Sequence, residues 1–369
     1  MKFVLISPKN RTAYNFRGDL IKKIISCGYE VIVTGPNRDN VEKIEELGAR
    51  FVEIPLEKNG VNPLSDLKYQ KSLYELFKKE KPDVTLGYTS KPVIYGSIAA
   101  KKAGVPHVAA MVTGAGYAFA SDTPKAKIIK AVMSALYRKA FKCVDVAIFQ
   151  NTDDKEQFVK EHLVKEEKCR IVNGSGVNME KFAVAPYPER LTFFMLSRVV
   201  YAKGIREYLA ACEKVKAQYP NVRFMLLGAC ENIPDSLTQD ELQPYIDKGI
   251  IDHFGETDNV ADYYKQCSVF VLPSYYREGT PRTALEAISM GRPVIVTDYI
   301  GCRETVIDGK TGFMVPIKDA DAVAEKMIEF VKSPELVAKM GAAANEYCKE
   351  RFDVNKVNKV MCEYLKIRS

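Results

Sequence analysis

Glu278–Glu286, reading EGTPRTALE, is the stretch of this chain whose residue types and spacing most plainly suit chemistry. It follows a continuous apolar run, VFVLPS (Val269–Ser274), of the kind buried in a parallel sheet. It leads into Ala284–Met290, a stretch of helical composition that Gly291 and Pro293 bring to an end. The two glutamates therefore bracket a strand-to-helix turn, with Glu278 in the loop and Glu286 about two turns into the helix. Gly279 lets a ligand approach the backbone, and the unpaired N–H groups and positive dipole of the helix start favour an anion. Two carboxylates that accept from hydroxyls, on either side of an anion site, suit sugar, diphosphate and sugar in series, as in a nucleotide-sugar. A surface turn followed by a solvated helix face fits the same spacing.

Other residues could serve such a molecule. Ser197-Arg198 closes the run Leu191–Ser197, and Lys203-Gly204 precedes the next helix. Two cations at the carboxyl end of a strand suit a diphosphate, Arg as a fork and Lys as a point charge, although each alone is open to a structural role. In the first half, Tyr14-Asn15-Phe16-Arg17 falls between the first strand and the first helix, where Asn15 and Arg17 face a ligand or the aromatics staple the helix start. Gly114-Ala115-Gly116 partly resembles a dinucleotide fingerprint, but the third small residue is replaced by Phe119 and no acid follows at the ribose position. A bound dinucleotide is excluded, and Thr113, Gly114 and Gly116 are expected to shape an acceptor pocket. Asn173–Asn178 (NGSGVN) closes the first half with a glycine-rich turn.

Lys125–Lys142 carries six basic residues and no acid (Lys125, Lys127, Lys130, Arg138, Lys139, Lys142), with Ile128, Ile129, Val132, Met133, Leu136 and Phe141 among them. Such a helix either lies in the headgroup layer of an anionic membrane or packs its stripe on a sheet with its lysines in water. The absence of acids favours the membrane for Lys125, Lys127, Lys130, Arg138 and Lys139.

Several patterns lead nowhere. Gly309-Lys310-Thr311 lacks the first glycine of a phosphate-binding loop and precedes a strand, and Asp319-Ala320-Asp321 opens a helix, where capping explains it. His107, His162 and His253 stand far apart and form neither a metal set nor a triad. Nine cysteines without a CxxC spacing fit reduced thiols in a cytoplasm. The opening MKFVLIS has too short an apolar core for a signal peptide, and no apolar run approaches the roughly 18–20 residues that span a bilayer. Residues 1–185 hold 30 Lys and Arg against 21 Asp and Glu, and the remainder 24 against 26, so the charge of +7 resides in the first half. That half could face a phosphorylated substrate or a membrane. Its cations are not interleaved with aromatic platforms, which argues against nucleic acid.

These residues need elements to hold them. Strand-like runs alternate with helical stretches at Lys2–Ser7, Glu30–Thr34, Arg50–Ile54, Asp83–Gly87, His107–Val112, Val144–Phe149 and Cys169–Val172. The pattern pauses at Phe182–Glu189, which has linker composition, and resumes at Leu191–Ser197, Val222–Leu227, Ile250–Phe254, Val269–Ser274, Pro293–Thr297 and Phe313–Pro316. Alternation on this scale predicts two doubly wound α/β domains, residues 1–186 and 187–350, with a cleft between them. A C-terminal helix at 351–369 is expected to pack back toward the first domain.

With these motifs assembled, the chain resembles a retaining glycosyltransferase of family 4, whose GT-B architecture has two Rossmann-like domains. The resemblance rests on SRVVYAKG (Ser197–Gly204), EGTPRTALEA (Glu278–Ala287), DGKTGFMVP (Asp308–Pro316) and NGSGVNMEKF (Asn173–Phe182). TSKPVIYGSIAA (Thr89–Ala100) and FQNTDDKEQF (Phe149–Phe158) resemble the branch that elongates polyprenyl-diphosphate-linked sugars for glycans and capsules, including bacterial N-glycan N-acetylgalactosaminyltransferases. It implies a UDP-sugar donor, a polyprenyl-diphosphate-linked saccharide acceptor, a peripheral position on the inner face of the cell membrane, and no metal or other cofactor. Arg198 and Lys203 would bind the diphosphate, Glu286 the ribose hydroxyls and Glu278 the transferred sugar, with Gly279 and Thr280 supplying N–H groups. The implied catalytic set is Glu278, Arg198 and Lys203. Two positions depart from the family: MVTGAG (Met111–Gly116) stands where many relatives carry a histidine, and Asn178 replaces the usual Asp. The competing readings are a degenerate GT-B protein that binds nucleotide or glycan as a scaffold, and a nucleotide-sugar epimerase, for which no acid–base pair is present.

Overall fold

Every strand expected from the sequence forms, the central ones as buried runs rich in Val, Ile, Leu and Phe, and Arg50–Glu53, Cys169–Ile171 and Asp252–Phe254 as short, mixed, partly exposed strands. The computed structural model describes residues 1–57, 62–115, 119, 123–230 and 235–368, with the side chains of Lys125 and Ala126 outside the described set. Gly116, expected in the acceptor loop, also lies outside it.

The chain divides into two units, residues 1–175 with 354–369, and residues 176–353. The first holds a parallel sheet of β1 (Lys2–Ile6), β2 (Glu30–Gly35), β3 (Arg50–Glu53), β4 (Val84–Tyr88), β5 (His107–Val112), β6 (Val146–Phe149) and β7 (Cys169–Ile171), in the order β3-β2-β1-β4-β5-β6-β7. The second holds β8 (Thr192–Leu196), β9 (Arg223–Leu227), β10 (Asp252–Phe254), β11 (Val269–Leu272), β12 (Val294–Thr297) and β13 (Gly312–Val315), in the order β10-β9-β8-β11-β12-β13. Each is a Rossmann-like α/β layer with one topological switch point, between β1 and β4 and between β8 and β11. In the first unit, apolar clusters cover both sheet faces. One includes Leu73 and Phe77 with Tyr137 and Phe141; the other includes Leu20, Ile21 and Ile24 with Met361 and Leu365.

Two boundaries differ from expectation. The second unit begins at Gly176 instead of Tyr187 because the AVAPYP stretch is anchored to it. Phe182 is buried in its core, and the buried Arg292 guanidinium donates to the carbonyls of Ala185 and Pro186, both at 2.7 Å. Linker composition there reflects carbonyls spent on side-chain donors, not freedom. At the other crossing, Val177 N donates to Phe352 O at 2.8 Å, which ties residues 351–353 to the second unit. The helix Val354–Tyr364 then packs on the helix Asn10–Ser26 of the first unit, and its Tyr364 hydroxyl donates to Ile171 O at 3.2 Å.

Candidate functional site

The second unit's switch point is where the sequence-predicted charges meet. Strand β8 ends at Leu196, and its loop carries Arg198 and Lys203 to the helix Ile205–Gln218. Strand β11 ends at Leu272, and its loop carries Glu278, Gly279 and Thr280 to the helix Arg282–Ser289. Because β8 and β11 are neighbours, the two loops run side by side, and Tyr275 N donates to Ala202 O at 2.9 Å. Lys203 Nζ then forms a tight ion pair with Glu278, both side chains mostly buried, and sits 5.0 Å from the centre of the Tyr276 ring. Gly204, at φ +77°, makes the close approach possible, since a Cβ there would overlap the Pro273 carbonyl. On the other flank, a Cβ on Gly301 would lie 2.6 Å from the Glu278 carbonyl oxygen. The Glu278 loop is thus held between two glycine contacts.

Glu286 stands on the first turns of the helix Arg282–Ser289 and is buried. Arg282 Nε donates to its Oε1 at 3.2 Å, and the Tyr264 hydroxyl to its Oε2 at 3.3 Å. Burial pushes this carboxyl above its ordinary range, and the Arg282 guanidinium pulls it back. Arg282 also donates to Gly176 O at 2.7 Å, which fixes the start of the unit to the same helix. Sequence reasoning misses Arg282, Tyr264 and Tyr276. The i, i+4 spacing of Arg282 and Glu286 is a legible signal for the first; nothing local marks the two tyrosines. Arg198 is exposed on the β8 loop, Thr280 is buried at the helix start, and Asn178 accepts from Glu180 N and Lys181 N as a turn residue.

The first unit's switch point is furnished differently. Tyr88, the last residue of β4, shares its hydroxyl with Ser7 Oγ at 2.5 Å and Thr12 Oγ1 at 2.9 Å. The Arg17 guanidinium lies 5.3 Å from the centre of the Tyr88 ring and donates to Met111 Sδ at 3.0 Å. Thr89, next in the chain, is held at φ +67°, a region that β-branched residues rarely adopt. Asn15 and Arg17 do not precede the first helix, as expected; they lie inside it, because helical backbone begins at Asn10 directly after an extended Lys9. Arg17 is buried, and Asn15 is only partly exposed. Thr113 and Gly114 follow β5 at the same carboxyl edge, Gly114 at φ +111°. His107 sits at the opposite, amino end of β5 with Nε2 3.0 Å from Tyr364 O, so it is no substitute for a histidine at the carboxyl edge.

The basic stretch forms the helix Pro124–Cys143. Its apolar residues divide: Tyr137, Ala140 and Phe141 enter the core, whereas Ile128 and Val132 are exposed. Lys127, Arg138 and Lys139 are exposed, but Lys130, expected to face outward, turns to Glu161 Oε1 at 2.7 Å and lies 5.4 Å from the Phe119 ring centre. A partly buried ammonium gains more from that carboxylate and ring than from water alone. The side chain of Lys125 lies outside the described residues. Among the described residues no helix is long and apolar enough to cross a membrane.

Residues 178–347 match the family described as Glycosyl transferases group 1, and residues 4–151 the family described as Glycosyl transferase 4-like. The chain is 26% identical over 350 residues, 91% of each protein, to the N,N'-diacetylbacillosaminyl-diphospho-undecaprenol alpha-1,3-N-acetylgalactosaminyltransferase of Campylobacter jejuni. It is 30% identical over 309 residues, 80% of this chain and 77% of the relative, to the UDP-Gal:alpha-D-GlcNAc-diphosphoundecaprenol alpha-1,3-galactosyltransferase of Escherichia coli. Among solved structures, a glycosyltransferase of Rickettsia africae superposes with a TM-score of 0.79 at 19% identity, covering 99% of this chain and 98% of that one.

Proposed function

The chain belongs to the group 1, 4-like glycosyltransferases, and from that premise we propose that it moves a hexose or N-acetylhexosamine from a UDP-sugar to a polyprenyl-diphosphate-linked saccharide, with retention of configuration, in glycan or capsule assembly. The observation that carries this reading is the meeting of Lys203 and Glu278 at the β8–β11 switch point, with Glu286 buried on the adjoining helix. Both relatives named above act on diphospho-undecaprenol saccharides, and one uses UDP-galactose.

In this mechanism Lys203 and Arg198 receive the donor diphosphate. Its arrival takes Lys203 away from Glu278 and leaves that carboxylate to accept hydroxyl hydrogen bonds of the transferred sugar. The backbone N–H groups of Gly279 and Thr280, at the start of the helix Arg282–Ser289, add a fixed positive field. Glu286 accepts from the ribose, held by Arg282 and Tyr264. The acceptor hydroxyl attacks from the face that the diphosphate leaves, and the departing phosphate oxygen takes its proton. Fixed cations and dipoles stabilise the charge that develops on the leaving group beside a short-lived oxocarbenium ion, which demands no strong protein base. The donor needs no metal in this scheme because protein cations meet its diphosphate.

The acceptor side falls to Thr113 and Gly114 after β5, with Arg17 and Asn15 behind the β1–β4 switch point. The exposed cations Lys127, Arg138 and Lys139 and the exposed Ile128 and Val132 on the helix Pro124–Cys143 meet an anionic bilayer, where a lipid-linked acceptor resides. The enzyme then acts at the cytoplasmic face of the membrane as a peripheral protein.

The test is UDP release from a panel of UDP-sugars, with and without polyprenyl-diphosphate-linked acceptors and without added metal. Release that requires one acceptor, and is lost in Glu278→Ala and Arg198→Ala, supports the assignment and names the donor. Nucleotide binding without release from any pair favours the scaffold alternative, and an inverted product anomer rules out retention.

A further inference from the structure

Scattered apolar side chains are ordinary on a protein surface; confinement of several to one edge is not. Apart from Met1, the exposed large apolar residues described in the first unit are Phe16, Leu64, Leu67, Ile128 and Val132. All five lie in the first halves of the helices Asn10–Ser26, Pro63–Glu80 and Pro124–Cys143, which follow β1, β3 and β5. In a parallel sheet each crossover helix starts at the carboxyl ends of the strands, so these residues share one edge. The helices Pro63–Glu80 and Pro124–Cys143 moreover pack on the same sheet face, each against the helical stretch Pro92–Gly96.

The start of the helix Pro63–Glu80 carries the strongest exposure. Leu64 is 81% exposed and Leu67 59%, against 68% for Ile128 and 46% for Val132. The cause is local and rigid. Asn62 caps the helix by accepting from Ser65 N at 3.3 Å. Asp66 and Tyr69, three residues apart, take the inward face: Tyr69 is buried in the core, and Asp66 is buried between Lys91 Nζ at 2.7 Å and the Tyr95 hydroxyl at 3.0 Å. Helical geometry then turns Leu64 and Leu67 outward together, beside the exposed Lys68 and Lys71.

We propose that this turn is a second membrane-inserting element, in which Leu64 and Leu67 enter the acyl boundary of an anionic phospholipid bilayer alongside the helix Pro124–Cys143. The inference rests on the membrane-surface reading above and adds a second, more exposed apolar pair to Ile128 and Val132 of the basic helix. Charge complementarity selects the occupant. Lys68 and Lys71 flank the leucines, Asp66 is buried against Lys91, and the neighbouring helix adds the exposed Lys127, Arg138 and Lys139 with no acid. The cations therefore outnumber the exposed Glu57 and Glu75, the latter 3.8 Å from Lys71. A bilayer also suits the composition better than a protein partner does, since protein interfaces favour aromatics and disfavour lysine.

The chain contains no tryptophan, so one introduced residue reports alone. Leu64→Trp, Ile128→Trp and, at the far end of the same helix as Leu64, Lys78→Trp are mixed with vesicles of phosphatidylcholine and phosphatidylglycerol carrying brominated acyl chains. Leu64→Trp is expected to shift to the blue and be quenched, as is Ile128→Trp, and Lys78→Trp to do neither. Quenching of Ile128→Trp alone overturns the second element and leaves the basic-helix reading intact; no vesicle binding by any variant overturns both. As a second measurement, Leu64→Ser with Leu67→Ser should lower vesicle partitioning about tenfold at low and high salt alike, because apolar transfer is not screened. Lys127→Glu with Lys139→Glu should act only at low salt. Partitioning of the double serine variant equal to the parent at both salts overturns the proposal.

Discussion

Two sheets of one topology reverse their strand order at one point each, and the two reversals are lined with opposite chemistry. At β8–β11 an ammonium and a carboxylate meet in a mostly buried ion pair, with a second carboxylate on the adjoining helix. At β1–β4 a neutral network of Ser7, Thr12 and Tyr88 hydroxyls fills the corresponding place, and the only charge described against it is the Arg17 guanidinium over the ring. The fold supplies the same place twice, and loop residues decide what the place can bind. Movable charge suits a donor whose leaving group is a diphosphate. A self-satisfied hydroxyl network is a rigid floor, with nothing that must be displaced before a ligand arrives.

Loss of charge at the second switch point should have the largest effect. Glu278→Ala and Lys203→Ala are each expected to lower kcat/KM for transfer by about 10²–10³-fold, the range for loss of one group aimed at developing charge. Circular dichroism should show both variants folded. Exchange of the two residues in one chain restores the pair but not transfer, because the cation must face the diphosphate. Wild-type rates in either single variant would end the assignment.

A smaller effect is expected at the neutral floor. Tyr88→Phe removes a hydroxyl whose partners keep a second acceptor, since Ser7 Oγ and Thr12 Oγ1 each also reach Lys9 O, at 2.9 and 2.7 Å. Thermal unfolding should report a loss of about 1 kcal/mol. Donor KM should stay constant while acceptor KM rises severalfold; a change confined to donor KM would contradict the division of labour.

The subtlest difference is in pH. Burial raises the Glu286 carboxyl, so the folded protein holds this proton more tightly than an unfolded chain does. Its contribution to stability is therefore full below the ordinary carboxylate pKa and is lost as pH rises through the raised one. On the ribose role proposed for Glu286, nucleotide binding runs the other way, because the ionised carboxylate is the stronger acceptor for hydroxyls. Calorimetry should show UDP affinity falling as pH drops through the window just above the usual carboxylate range. Glu286→Gln should bind several-fold more weakly at neutral pH, with that window gone. An unchanged window in Glu286→Gln would assign the titration elsewhere.

Much of this is legible in the sequence. Strands β1 to β13 all stand where the sequence predicts them, the central ones because burial on both faces demands continuous apolar runs, whereas β3, β7 and β10 are short, partly exposed edge strands. The first helix start is misplaced for a physical reason: Lys9 makes no side-chain cap, and no acid occupies the first turn, so no residue type advertises Asn10. Phe182–Glu189 passes for a linker because proline and alanine look the same whether their carbonyls face water or a buried Arg292. The outward stripe of the helix Pro124–Cys143 is half right, since periodicity finds a face but not what lies under it.

The sequence by itself determined the two α/β halves, the motifs at strand ends and the residue types available for a diphosphate. Local composition settles such things, because strand burial, turn backbone and helix starts act over a few residues. Only the tertiary structure decided that Lys203 reaches Glu278, 75 positions away, that Arg17 is turned inward onto Tyr88, and that Leu64 and Leu67 are left outside. Those outcomes depend on which strands are neighbours and which side of a helix the sheet has claimed, and both are settled by packing between segments distant in the chain.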